Sequence, residues 1–181
     1  FMTVTWFSSL IGAVMLYLVG NKRTFASKAD KLKFNTLQSI MPLVYGLLAG
    51  YAATWYATWL LDFEFGSFNR TALFIAICVT AFTFMIFATL RWLKLPSIAI
   101  YVLLMFFSMA AVQLVPEMMP AIYRDYIISW LPLRFFVEGL REVLFFSHEV
   151  INHYSMVLIW ILVVAFVLVW IKNLIEKSEI K

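Results

Sequence analysis

The sequence predicts an all-α fold: a polytopic membrane helix bundle with five transmembrane helices and an amphipathic or re-entrant helical element on the outer side. Three observations carry this reading. Hydrophobic residues fill 64% of the 181 positions and charged residues only 13%, where a soluble domain carries about 25% charged and about 45–50% apolar residues. Five long runs contain no ionisable acid or base, and about 20 apolar residues rising about 1.5 Å each suffice to cross a hydrocarbon core of about 30 Å. Basic residues collect in alternate connections between those runs. A disordered chain, a disulfide-stapled secreted module and an ordinary soluble enzyme are excluded.

The first span covers 1–20. It opens at Phe1 inside an apolar run, without the basic segment that precedes a signal peptide's apolar stretch. The chain therefore reads as one transmembrane domain over 1–181, the C-terminal fragment of a longer protein. The remaining spans are 37–61, 71–90, 95–115 and 154–171. Backbone groups find no water in lipid, so these runs must be helices unless they close into a barrel. The barrel alternative fails, because residues 81–87 (Ala-Phe-Thr-Phe-Met-Ile-Phe) are apolar on both parities.

Orientation follows from the connections. Lys22, Arg23, Lys28, Lys31 and Lys33 lie between the first two spans, Arg91 and Lys94 between the third and fourth, and Lys172, Lys177 and Lys181 after the last. The other connections hold Arg70, Arg124, Arg134 and Arg141 together with seven acids. Basic loops stay cytoplasmic. The chain thus starts outside, crosses five times and ends in the cytoplasm. The net charge of +4 belongs to these loops, so no nucleic-acid partner is implied. Tyr51, Trp55, Tyr56 and Trp59 fall at the expected outer end of the second span, and Trp92 and Trp170 near inner ends. Rings of this kind anchor at headgroup level.

Residues 116–153 form the one outer connection that is not short. Pro116, Pro120 and Pro132 forbid a continuous helix there, and Pro132 is well placed to open a new one. On a helix from Pro132 to about Ser147, Arg134, Glu138, Arg141 and Glu142 share one polar face, with local pairing of Arg134 to Glu138 and Glu138 to Arg141. The opposite face is Phe, Leu and Val. The element is amphipathic and either lies at the outer surface or re-enters it, with a solvated helix packed on the spans as the plain alternative.

Catalytic chemistry is missing. His148 and His153 are five apart, about 140° around a helix, so they lack the i, i+4 spacing of a zinc pair. No phosphate-binding loop occurs, and no carboxylate or histidine sits within a span. No catalytic, metal or cofactor-binding set is therefore expected. Cys78 lies in an apolar run and reads as a small core residue. Gly46 and Gly50 form a G-x-x-x-G pair in the second span, a spacing that lets helices approach closely.

Trp130-Leu131-Pro132-Leu133-Arg134-Phe135, followed by Val137-Glu138-Gly139-Leu140-Arg141, resembles the stretch before the last span of type-2 ABC exporter permeases. The resemblance is closest to the YhgE/Pip (phage infection protein) branch. Many members carry a glycine before the outer helices, whereas this chain reads Val112-Gln113-Leu114-Val115-Pro116, which favours that branch. The resemblance implies six spans, of which these are the last five, in a bacterial cell membrane. It also implies that the basic stretch 21–35 is a cytoplasmic coupling segment facing a separate ABC ATPase, and that the element around 132–146 closes the exit.

Two functions are expected on this basis. One is a non-enzymatic permease, embedded in the bilayer as a homodimer or pseudo-dimer, that exports amphipathic or lipid-like cargo. The other is a membrane scaffold or receptor anchoring an extracellular domain, of the kind linked to phage adsorption or type VII secretion.

Overall fold

The computed structural model describes residues 2–22, 28–62, 65–113, 121, 122, 126, 131–145 and 150–175. Six helices occur among them: α1 (Met2–Asn21), α2 (Lys28–Leu61), α3 (Phe68–Leu93), α4 (Ser97–Gln113), α5 (Pro132–Phe145) and α6 (His153–Ile175). No strand occurs among the described residues. The chain is all-helical.

Local chemistry sets the helix ends. Asp30 lies in the first turn of α2, where a carboxylate complements the helix dipole. Asp62 ends α2 with φ 46°, and Lys94 ends α3 with φ 61° while its N–H returns to the Leu90 carbonyl. Pro96 then precedes Ser97 at the start of α4. Pro132 occupies the first position of α5, where its missing N–H costs nothing. At α6, Asn152 and Ser155 cap each other. Asn152 Oδ1 accepts the Ser155 amide at 2.9 Å, and Ser155 Oγ accepts the Asn152 amide at 2.8 Å.

Among the described residues three helices are long and apolar enough to cross a membrane: Met2–Asn21, Phe68–Leu93 and His153–Ile175. They fall on the expected spans 1–20, 71–90 and 154–171. The expected count of five is not supported. In α2 the first turns carry Lys28, Asp30, Lys31 and Lys33, and the apolar part is diluted by Pro42, Tyr45, Gly46, Gly50, Tyr51 and Thr54. α4 is described over 17 residues, about 25 Å at about 1.5 Å each, and the residues that follow it lie outside the described ones.

α3 is the centre of the bundle. Of its apolar stretch 78% is buried, against 28% for α1 and 22% for α6. Phe74, Ile75, Cys78, Val79, Phe82, Phe84, Ile86, Phe87 and Leu90 fill the core around it. The outer helices turn Val4, Ile11 and Met15 (α1), Leu47 and Leu48 (α2) and Trp160, Val163 and Val164 (α6) outward. An apolar girdle of this extent belongs in lipid rather than water. The chain is a membrane protein by this criterion.

Helix directions follow from cross-contacts. The Pro42 carbonyl of α2 accepts from Thr80 of α3, while Gly50 faces Ala72 and Ala76, so α2 and α3 are antiparallel. Tyr45 meets Ser8, and Gln38 donates to the Leu16 carbonyl, so α1 opposes α2 as well. Phe84 packs on Phe166, and Arg91 bonds Asn173, so α6 runs parallel to α3.

Candidate functional site

These directions gather charge at one end of the bundle. Lys22 follows α1, Lys31 and Lys33 begin α2, Arg91 and Lys94 end α3, and Lys172 lies in the last turn of α6. Asp30 is the only described acid on these turns. Of the candidate coupling residues, Lys22 and Lys33 are exposed and Lys31 is half-buried. Lys28 is the first residue of α2, and Arg23 lies outside the described residues. Lys28 to Lys33 are not on a separate helix. They continue without a break into α2, which carries Pro42 before its contact with α3 at Gly46 and Gly50.

The opposite end carries α5. Its apolar face is spent on the protein: Leu133, Phe136, Gly139, Leu140 and Val143 are buried. Phe136 packs between Phe74 and Phe82 of α3, with ring centroids 6.3 and 6.4 Å away. Gly139 permits this seat, because a β-carbon there would stand 2.6 Å from the Phe74 ring and 3.1 Å from Tyr154 Cβ. On the polar face Arg134 Nε donates to Glu138 Oε1 at 2.8 Å, as an i, i+4 pair. Arg141 is exposed and Glu142 half-buried, and Tyr154 stands beside Glu138. Most of 116–130 and all of 146–149, including His148, lie outside the described residues.

Gly46 and Gly50 both face α3. The same α2 stripe continues through Thr54 and Ala57, each buried. Opposite them stand Ala72, Ala76 and Thr80. Small residues on both helices bring the backbones together, and close packing is what associates helices in lipid, where burial of apolar surface gives no net drive.

Buried polar contacts also tie the bundle together. Trp6 is buried and donates its indole N–H to the Tyr101 carbonyl at 3.3 Å, with its ring on Phe82 and Tyr101. Tyr101 in turn reaches Thr89 and the Met85 carbonyl, and Ser9 reaches the Val79 carbonyl. The sequence carries no local sign of these ties. Among the described residues no three histidine, cysteine or acidic side chains come together as a metal site requires. Cys78 is fully buried.

No protein-family model, curated protein or solved structure matches this chain.

Proposed function

We propose that this chain is the membrane-embedded part of an exporter-type permease that moves amphipathic or lipid-like cargo out of a bacterial cell, driven by a separate ATPase. In this reading α2 and α4 also cross the membrane, giving five spans. The basic end faces the cytoplasm, and two copies or two homologous halves form the passage. The observation that carries the reading is the pairing of a basic, unbroken N-terminal extension of α2 at one end with a proline-started amphipathic helix seated on α3 at the other. A force applied to Lys28, Lys31 and Lys33 would reach α3 through the Gly46–Gly50 contact. It would reach α5 through Phe74 and Phe136.

The test is charge reversal of Lys28, Lys31 and Lys33 in the full protein, read by capture of the ATPase and by efflux of a fluorescent lipid from cells. The permease reading expects loss of both, with membrane insertion unchanged. Intact efflux would refute it.

A second reading is a scaffold or receptor that anchors an extracellular domain, as in phage adsorption or type VII secretion. It is favoured by the interior itself, since the Phe, Ile and Val side chains of α3 are buried in a packed core. Retained phage adsorption or secretion in the charge-reversed protein would support it.

A further inference from the structure

We propose that the basic end of the bundle, where α3 and α6 terminate together, holds the phosphate of an anionic phospholipid from the adjoining leaflet. Three basic residues lie on these two helix ends. The guanidinium of Arg91 donates to the side-chain oxygen of Asn173. Lys172, the residue before Asn173, sets its Nζ 5.3 Å from the centroid of the Trp92 ring. Lys94 follows within the same turn and is exposed.

The turn that carries them is fixed. The Lys94 amide donates to the Leu90 carbonyl at 2.9 Å, and the Lys94 carbonyl accepts the Ser97 hydroxyl at 2.8 Å and the Ser97 amide at 3.2 Å. The Trp92 indole N–H donates to the Leu168 carbonyl at 3.3 Å, which fixes the ring beneath the Lys172 ammonium. No acidic residue occurs anywhere on α3, α4 or α6. The charged side chains that α3 and α6 bring to this end are therefore all basic.

The neighbours decide between a free anion and a lipid. Leu93, Leu95, Leu168 and Ile171 are all exposed on the same turns. The surface thus offers an apolar wall below, an indole at headgroup level and cations above. A phospholipid matches all three layers, whereas inorganic phosphate matches one. The proposal rests on the membrane placement of the bundle and is independent of any ATPase or cargo.

The experiment is native mass spectrometry of the full chain released from micelles with equal phosphatidylglycerol and phosphatidylcholine. The wild type is expected to retain phosphatidylglycerol preferentially. A cation near an anionic surface contributes about 1 kcal/mol, so Lys94→Gln lowers that preference about fivefold, and Lys94→Gln with Lys172→Gln lowers it about 25-fold. Lys172→Arg retains it. Lys94 is exposed, so its variant keeps the test alive should Lys172→Gln misfold. Lys22→Gln with Lys33→Gln, at the ends of α1 and α2 rather than of α3 and α6, leaves the preference unchanged. An equal loss in that control pair, equal retention of both lipids by the wild type, or displacement of the lipid by millimolar inorganic phosphate would each overturn the proposal.

Discussion

Gly46 of α2 and Thr80 of α3 occupy one another's side-chain space. A β-carbon on Gly46 would fall on Thr80 Oγ1 and within 2.9 Å of the Ala76 carbonyl oxygen. The Thr80 hydroxyl is committed there, donating to that carbonyl at 2.8 Å and lying 3.4 Å from the Pro42 carbonyl across the interface. One turn along, a β-carbon on Gly50 would meet backbone instead: the Ala72 oxygen at 2.5 Å and the Ala76 nitrogen at 2.7 Å.

The two glycines are therefore expected to differ in how they tolerate alanine. At Gly50 the obstacle is main chain, so Gly50→Ala must separate the helices and destabilise by about 1–3 kcal/mol, the usual cost of overpacking. At Gly46 the nearest obstacle is a side chain, so Thr80→Ala should partly rescue Gly46→Ala. It should not rescue Gly50→Ala. Thermal unfolding of the four variants in detergent checks this, and an unchanged Tm for Gly50→Ala would show that the helices are not so close.

Trp6 gives a second contrast. Trp6→Phe keeps the ring packing on Phe82 but loses the hydrogen bond to Tyr101, a loss of about 1 kcal/mol. Trp6→Ala also empties a site of which only 1% is exposed, and large-to-small changes of this kind cost about 3–5 kcal/mol. Denaturation of both variants should separate the bond from the cavity.

The start of α6 depends on the reciprocal bonds between Asn152 and Ser155. Asn152→Ala is expected to cost about 1 kcal/mol, with faster hydrogen exchange confined to the first turn of α6. Asn152→Asp keeps the acceptor and adds a charge that suits a helix N-terminus, so its exchange should stay slow.

Particular residues explain what was legible beforehand. The uncharged runs of α1, α3 and α6 announce themselves by hydropathy alone. α5 was readable from Pro132 and from the spacing of Leu133, Phe136, Leu140 and Val143, which puts them on one face. Hydropathy cannot tell which of several apolar helices is central, because a leucine facing lipid and one facing protein look alike. The signal for α3 was present in a different form, as Ala72, Ala76 and Thr80 lined up for close approach to Gly46 and Gly50. The count of five spans goes beyond the structure at α2 and α4, because a run free of charge is not by that alone long and apolar enough to cross. Tyr, Gly, Thr and Pro dilute α2, and α4 is described over 17 residues. The long-range ties of Trp6 and Tyr101 were illegible, since a residue partnered 95 positions away leaves no local pattern.

The polar face of α5 tests how wet this helix is. The side chains of Arg134 and Glu138 are 39% and 30% exposed, and exposed i, i+4 pairs contribute only about 0.3–0.5 kcal/mol. Glu138→Gln is therefore expected to shift stability by less than about 1 kcal/mol. A loss of about 3–5 kcal/mol would mean that an uncompensated arginine had been left in a dry site.

Cysteine scanning along α5 should trace its seat on α3. Leu140 is 9% exposed and Arg141, the next residue, is exposed on the polar face. Phe135 and Leu144 are half-buried, with the Phe135 ring 6.5 Å from Tyr154. On a Cys78→Ala background, a membrane-impermeant maleimide should modify Arg141→Cys rapidly, Phe135→Cys and Leu144→Cys slowly, and Leu140→Cys slowest of all. The order matters more than the rates. Detergent that dissolves the bilayer but preserves the fold should leave Leu140→Cys protected, because its cover is α3 and α6 rather than lipid. If detergent exposes Leu140→Cys as readily as Arg141→Cys, the apolar face of α5 is covered by lipid, and the packing of Phe136 between Phe74 and Phe82 does not hold in the membrane.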